Sequence, residues 1–139
     1  MEIRDCIHGA IPIQAHEWPV LESPFFLRLR RIKQLGFAEY SFPGATHTRY
    51  LHSVGAMHIA GRAFDQIFPA HRELLEPEDH RRLRSLVRLA ALLHDVGHGP
   101  LSHTSEFAMP KLSELGLPAD VLKARQTPSE PHPLASHED

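Results

Sequence analysis

The stretch from Leu89 to His103 carries most of the side chains in this sequence that could do chemistry. It reads LAALLHDVGHGPLSH, so an apolar run ends in the adjacent pair His94 and Asp95, and His98 and His103 follow. Imidazole and carboxylate groups are common ligands of divalent metal ions. Apolar packing has no use for so many ligating groups in one place, and the cluster therefore indicates a metal-binding site.

The cluster is expected at the C-terminal end of a helix. Apolar residues repeat at i, i+3, i+4 and i+7, the period of a buried helix face, at Leu86, Leu89, Ala90 and Leu93. This pattern also predicts that His94 points toward the interior. Adjacent helix side chains diverge by about 100°, so His94 and Asp95 share an ion most easily where the helix ends. The helix breakers that supply this end are Gly97, Gly99 and Pro100.

A second group of donors lies upstream, in the segment His47-Thr48-Arg49-Tyr50-Leu51-His52-Ser53. Arg49 and His52 are three residues apart, which places them on one face of a helix. That helix is predicted to continue until Pro69 stops it, through Val54, Met57, Gly61, Phe64 and Phe68. Pro77 then begins the long helix that ends at the His94-Asp95 pair.

Both donor groups resemble motifs of the HD-domain phosphohydrolases. The motifs are H-x-R-x-x-H-S-x-G over residues 47–55 and H-D-x-G-H-G-P-x-S-H over residues 94–103. Shorter matches follow the family order: D-C-I-H-G (5–9), S-P-x-x-x-R-L-R (23–30), I-K-Q-L-G (32–36) and F-P-G-A-x-H (42–47). Within that superfamily the sequence is most similar to the deoxynucleoside triphosphate triphosphohydrolases. The resemblance implies an all-α fold, the HD-domain helical bundle.

The resemblance also implies roles for particular residues. The implied metal ligands are His52, His94 and Asp95, which would bind a divalent ion such as Mn, Fe, Ni, Co, Zn or Mg. The implied catalytic group is His98, His103 and Glu106, in which Glu106 orients His103 as general acid or base and His98 contacts the phosphate or the leaving group. The implied substrate contacts are Arg49 to a phosphate and, to the sugar, Gln34 and Leu35.

Each of these groups also has a purely structural interpretation. The histidines of the ligand set could be capping or core residues, and His98 and His103 could make hydrogen bonds at the helix end. Arg49 could form a structural ion pair. Upstream lies a run of cations: Arg28, Arg30, Arg31 and Lys33. Such a run is typical of a solvated surface, although the resemblance suggests that some of these side chains contact phosphates or a neighbouring subunit.

The N-terminal part of the sequence gives weaker signals. Residues 1–22 are expected to be irregular or short extended structure, and no β-hairpin is indicated. Ser23 and Pro24 predict a helix start, with Ser23 as the N-cap. The buried stripe of this helix is predicted at Phe25, Leu29 and Ile32, and Gly36 is a plausible stop. A loop is expected over residues 37–45.

The length of 139 residues fits a single domain with one core. We expect residues 1–125 to be the N-terminal part of an HD domain, and residues 126–139 to be a Pro-rich flexible tail or the start of a missing remainder. In the family a fourth metal ligand is an aspartate on a later helix. The chain ends only 44 residues after Asp95, so we expect the bundle to be incomplete at the C-terminus. Asp139 is not assigned to the metal.

Net charge, cysteine content and hydropathy limit the classes of protein to which this sequence can belong. The net charge of −2 gives no indication of nucleic-acid binding. Cys6 is the only cysteine, which excludes an internal disulfide and favours a reducing compartment. No apolar run approaches the roughly 18 residues of a membrane span. The N-terminus lacks the basic start and apolar core of a signal peptide. A cytoplasmic location is expected.

Taken together, the motifs predict a metal-dependent phosphohydrolase that acts on nucleotides. The resemblance implies that water attacks the α-phosphorus of a dNTP and releases a deoxynucleoside and inorganic triphosphate. It also implies a homo-oligomer for the full-length protein. Two alternatives stay open: an HD-type nucleotidase or cyclic-dinucleotide phosphodiesterase, and a catalytically inactive nucleotide-binding or interaction module.

Overall fold

Two long helices form the centre of the molecule. The computed structural model describes residues 1–70, 74–101, 110 and 114–116. Helices α3 (Arg49–Ile67) and α4 (Pro77–Leu93) pack against each other. Two strands precede them, β1 (Glu2–Asp5) and β2 (Gly9–Pro12). Four short helical segments follow the strands: α1 (Trp18–Leu21), α2 (Pro24–Leu27) and 3-10 helices at Arg28–Arg31 and Gly36–Tyr40. Within these ranges no helix has the length and hydropathy that spanning a bilayer requires. The predicted all-α class is confirmed.

The strands β1 and β2 form an antiparallel hairpin, so the expectation of no hairpin was wrong. The turn is built by Asp5, whose Oδ2 accepts the backbone amides of Ile7 at 3.1 Å and His8 at 2.9 Å. Gly9 closes it with a φ of +71°, which glycine adopts without strain. The hairpin places Ile11 in the core, where it is fully buried.

The helix predicted after Ser23 begins as expected but tightens after one turn. The Ser23 Oγ accepts the amide of Phe26 at 3.3 Å, which confirms the N-cap. Helix α2 then passes directly into the 3-10 helix, whose side chains repeat every three residues. The buried set follows that repeat at Phe26, Leu29 and Ile32. Phe25 is 76% exposed, so its assignment to the core was wrong.

Helix α3 carries Arg49 and His52 and ends before Pro69, as the sequence predicted. The amide of Arg49, its first residue, donates to the carbonyl of Ile32 at 2.9 Å, and Phe68 caps its end just before Pro69. Its buried face follows the helical period and contains Val54, Met57, Gly61 and Phe64. This face carries the packing against α4.

Helix α4 also has the predicted bounds, but a different face is buried. Leu89 packs against the core as predicted and Leu92 is fully buried, whereas Leu86 is 51% exposed and Leu93 is 40% exposed. Ala90 is exposed as well. The face toward α3 therefore follows the line of Arg88 and Leu92, about one residue away from the apolar stripe that the periodicity identified.

A buried ion pair explains why α4 presents Arg88 to the interior. Arg88 Nε lies 2.5 Å from Glu17 Oε1, and both side chains are almost completely buried. Glu17 Oε2 accepts Arg88 Nη2 at 2.8 Å and the amide of Gln14 at 2.9 Å, while Arg88 Nη2 also donates to the carbonyl of Pro12 at 3.0 Å. These bonds satisfy both charges and join the N-terminal segment to α4.

Gly61 of α3 packs directly against the Arg88 side chain, and its replacement gives a test of this packing. A Cβ at residue 61 would lie 3.1 Å from both Cδ and Nη1 of Arg88. Arg88 is held by Glu17 and cannot yield easily, so we expect G61A to lower the free energy of unfolding by about 1 kcal/mol or more, despite the better helix propensity of alanine. Urea denaturation measures this loss. The same substitution in an R88M background should cost clearly less, and an equal cost in both backgrounds would contradict the proposed clash.

Candidate metal centre

The sequence-predicted ligands come together at the contact between α3 and the end of α4. His52 Nε2 lies 3.2 Å from His94 Nε2 and 3.7 Å from Asp95 Oδ2. His94 Nε2 lies 3.4 Å from Asp95 Oδ1. The three residues come from helix segments 42 positions apart, and each offers a ligand atom within 4.8 Å of the others.

These distances fit one shared cation. Imidazole and carboxylate ligands bind metals such as zinc at roughly 2.0–2.2 Å, which places neighbouring donor atoms roughly 3–3.5 Å apart. The two nitrogens lie 3.2 Å apart, and their distances to the Asp95 carboxylate are 3.4 Å (His94 to Oδ1) and 3.7 Å (His52 to Oδ2), all close to that range. Two nitrogens and an oxygen form a donor set that suits first-row divalent metals. The residues therefore fit the divalent ion that the motifs indicate.

His94 is oriented by a bond to the backbone of its own helix. Its Nδ1 lies 2.7 Å from the carbonyl oxygen of Ala91. A carbonyl can only accept, so Nδ1 carries the proton and, in the neutral ring, Nε2 presents its lone pair toward His52. The prediction that His94 points into the interior was wrong, because its side chain is about two-fifths exposed. It lies at the rim, on the solvent side of Asp95.

The environment of His52 favours its neutral form. Partial burial lowers the pKa of His52, and the positive charges of neighbouring groups, Arg49 among them, lower it further, while Asp95 acts in the opposite direction. A neutral imidazole is the form that binds a metal. His52 is therefore available as a nitrogen donor near neutral pH without first releasing a proton.

Asp95 is a buried carboxylate balanced by Arg49. Burial by itself raises the pKa of Asp95, but the hydrogen bond and charge of Arg49 outweigh it and hold the pKa below its usual value. Arg49 Nη1 donates to Asp95 Oδ2 at 2.7 Å, and both side chains are buried. This is the ion pair that the structural interpretation of Arg49 expected. Asp95 is consequently ionised at neutral pH.

The chain turns immediately after Asp95 and returns His98 to the same carboxylate. The amide of His98 donates to the carbonyl of Asp95 at 3.1 Å, and His98 Nε2 lies 3.5 Å from Asp95 Oδ1. His98 is almost completely buried. His98 therefore makes a hydrogen bond at the helix end and also lies close to the candidate metal ligand Asp95.

Sequence reasoning missed Arg28 as a neighbour of this turn. Its Nη1 donates to the carbonyl of His98 at 2.6 Å, and its Nη2 contacts the carbonyl of Val96. The cation run predicted a solvated surface here, whereas Arg28 is half-buried. The one signal that could have singled it out is its place in the S-P-x-x-x-R-L-R motif, directly before the buried Leu29.

Of the remaining predicted site residues, the structure describes Gln34 and Leu35. The amide of Gln34 donates to the carbonyl of His47 at 3.1 Å, which ties this segment to the start of α3, and Leu35 is exposed. His103 and Glu106 lie outside the described residues, as does the segment predicted as a tail, 126–139. Their predicted roles are therefore untested.

Comparison with known proteins agrees with the geometry. The HD domain family profile matches residues 49–135, more than half of the chain. The chain is 40% identical over 104 residues to the deoxynucleoside triphosphate triphosphohydrolase SAMHD1 homolog of Dictyostelium discoideum, and 44% identical over 101 residues to the deoxynucleoside triphosphate triphosphohydrolase SAMHD1 of Bos taurus. An uncharacterized protein of Methanocaldococcus jannaschii is 42% identical over 104 residues.

The aligned regions cover 75%, 73% and 75% of this chain, but only 20%, 17% and 20% of those three relatives. The chain thus spans about a fifth of the length of the curated relatives it matches. The matched profile begins at the first residue of α3 and includes all three of His52, His94 and Asp95. On this match, and on the histidine and aspartate donors that α3 and α4 bring together, the chain belongs to the HD domain family.

Proposed function

We propose that this protein is a metal-dependent phosphohydrolase that acts on nucleotides, and that it hydrolyses dNTPs to deoxynucleosides and inorganic triphosphate. The observation that carries the proposal is the convergence of His52, His94 and Asp95 within 4.8 Å. The family match, and the activity after which two of the relatives are named, support the choice of a nucleotide substrate.

Three residues would hold the divalent ion: His52, His94 and Asp95. When bound, such an ion supplies a Lewis acid for the phosphate and lowers the pKa of water. Ala91 fixes the tautomer of His94 through its carbonyl, and the burial of His52 keeps that ring neutral. Both effects prepare the nitrogen donors before an ion arrives, which reduces the reorganisation that binding requires.

Arg49 and His98 would act on the phosphate side of the same centre. A guanidinium can bind a phosphate through two parallel N–H groups. In the structure Arg49 Nη1 donates to Asp95 Oδ2, so phosphate binding would require that guanidinium to share or exchange this partner. His98, 3.5 Å from Asp95 Oδ1, would contact the phosphate or the leaving oxygen.

The proton transfers are assigned to His103, oriented by Glu106. In the proposed reaction a water oxygen forms a bond to the α-phosphorus while the bond from phosphorus to the 5′ oxygen breaks. The departing 5′ oxygen takes a proton, which His103 would donate as general acid. Gln34 and Leu35 would contact the sugar of the nucleotide. For the full-length protein we also propose a homo-oligomer.

A product analysis tests this proposal. Purified protein is incubated with each dNTP and with Mn²⁺, Co²⁺ or Mg²⁺ in water enriched in ¹⁸O, and products are separated by ion-exchange chromatography and mass spectrometry. We expect deoxynucleoside and inorganic triphosphate in equal amounts, with one ¹⁸O in the triphosphate, because attack at the α-phosphorus delivers the water oxygen to that product.

Other outcomes would replace the proposal by a specific alternative. Orthophosphate released from nucleoside monophosphates, or a linear dinucleotide formed from a cyclic one, would identify a different HD-type hydrolase. Binding of metal and nucleotide with no turnover of any of these substrates would identify a non-catalytic module. Label in the nucleoside 5′ hydroxyl would contradict attack at phosphorus.

A further inference from the structure

We propose that Arg28 is a positioning residue for the candidate metal centre, and that it acts by holding the backbone turn that follows Asp95. The inference rests on the proposed metal-dependent function. It is carried by two contacts, which the guanidinium of Arg28 makes with the carbonyls of Val96 and His98. These residues are 68 and 70 positions away from Arg28 along the chain.

The turn needs such a donor because α4 ends there. Val96 and His98 lie beyond Leu93, the last residue of α4, so their carbonyls are outside the hydrogen-bond ladder of the helix, and a turn containing glycine has little rigidity of its own. Local bonds hold the turn only in part: the amide of Val96 donates to Leu93 at 3.0 Å and the amide of His98 to Asp95 at 3.1 Å. The carbonyls of Val96 and His98 face Arg28 instead, on either side of Gly97.

The chemistry of arginine suits this place. A guanidinium is planar and always charged, and it presents several N–H groups in a fixed fork, so one side chain can bridge two carbonyls. Its positive charge also lies at the C-terminal end of α4, where the helix dipole favours a cation. A lysine would supply the charge at a single point and could not reproduce the fork.

The backbone of Arg28 is fixed by the residues next to it in the sequence. It begins the 3-10 helix Arg28–Arg31, in which the next residue, Leu29, is fully buried, and the preceding turn is capped by Ser23. The backbone that carries the guanidinium is therefore held in place. The bonds that the guanidinium makes determine where the backbone leaves Asp95 and where it returns His98 to within 3.5 Å of Asp95 Oδ1.

Positioning and simple electrostatics predict opposite effects on metal affinity. If Arg28 acted only through its charge, its removal would take a positive charge away from a cation site, and metal would bind more tightly. If Arg28 holds the turn, its removal loosens Asp95, and metal binds more weakly. Supporting groups around metal ligands typically contribute 10- to 100-fold in affinity.

The test uses Co²⁺ as the probe, because its visible absorption reports coordination geometry. We expect R28A to bind Co²⁺ about 10- to 100-fold more weakly and with an altered spectrum, and we expect the amides of Val96 and His98 to exchange faster in the metal-free protein. Guanidinium at tens of millimolar, far below the molar range that unfolds proteins, should restore the spectrum of R28A. R31A, a change at an exposed cation of the same 3-10 helix, is the matched control and should bind Co²⁺ as the wild type does, with or without guanidinium.

The possible results separate this inference from the proposed function. R28A with the affinity and spectrum of the wild type, or with tighter binding, would overturn the inference and leave the metal-dependent function standing. If the wild-type protein binds no Co²⁺, both the inference and the proposed metal-dependent function are contradicted. Should R28A fail to fold, R28K is measured in its place: we expect weakened binding despite the retained charge, and full affinity in R28K would overturn the role of the fork.

Discussion

Replacing Arg88 with methionine is expected to lower the free energy of unfolding by about 3–5 kcal/mol, because the change leaves Glu17 as a buried charge without its partner. Both side chains are almost completely buried and joined by contacts of 2.5 and 2.8 Å. Methionine preserves much of the volume, so the loss reports the charge and not a cavity. Urea denaturation followed by circular dichroism measures it.

Two comparisons isolate the buried pair. The double variant E17Q/R88M removes both charges and keeps an acceptor for the amide of Gln14, so it should be more stable than R88M alone. R84M breaks a pair with Asp65 that is partly open to solvent, and it should cost no more than about 1 kcal/mol. If R88M cost as little as R84M, the buried pair would not hold the N-terminal segment to α4.

The acid dependence of stability provides an independent check on the same pair. Burial alone raises the pKa of Glu17, but its bonds to Arg88 and to the amide of Gln14 outweigh burial and lower the pKa below the ordinary value of 4.5. A lowered folded-state pKa means that Glu17 contributes its full stabilisation above pH 4.5 and loses it as the pH falls through the folded-state pKa. The difference in stability between wild type and E17Q should therefore shrink over that acidic range.

The same pair shows where sequence periodicity stops being informative. The end of α3 and both bounds of α4 could be predicted because prolines and apolar repeats are local signals. The buried face of α4 could not, since Arg88 counts as polar in any pattern and only its partner 71 positions earlier makes its burial favourable. Leu86 and Leu93 matched the period of a buried stripe and are nevertheless exposed.

The N-terminal segment illustrates a second limit. A one-turn α-helix that becomes a 3-10 helix has a repeat of three, so Phe26 is buried where a longer α-helix would have placed Phe25 inside. Ser23 was predictable because an N-cap depends on its own side chain. The length of the helix was not, because packing against the rest of the chain decides it.

The candidate centre was more predictable than its surroundings. His52 and Arg49 share a helix face by spacing alone, and the His94-Asp95 pair was expected at a helix end. The contact between these two groups came from the family resemblance, because no local pattern brings residues 42 positions apart together. The support from Arg28 is likewise a tertiary contact and has no period in the sequence.

Replacing His94 with alanine is expected to remove stoichiometric metal and to lower kcat/KM by on the order of a thousandfold, since a bound metal contributes several kcal/mol to the stabilisation of a phosphoryl transition state. His94 is the most informative ligand to change. Its side chain is about two-fifths exposed and its backbone contact is to its own helix, so its loss should leave the fold intact. Asp95, in contrast, is buried against Arg49, and its replacement would also leave a charge without its partner.

Elemental analysis of protein purified in the presence of Mn²⁺ or Zn²⁺, together with the dNTP product assay, measures the effect of H94A. H16A is the matched control, because His16 is an exposed histidine on the N-terminal segment and should leave both metal content and turnover unchanged. H52A should reproduce the loss seen in H94A, because the two Nε2 atoms lie 3.2 Å apart and would bind the same ion. If H94A retained stoichiometric metal while H52A lost it, His94 would not be a ligand, and the centre would have to be built from His52 and Asp95 with other donors.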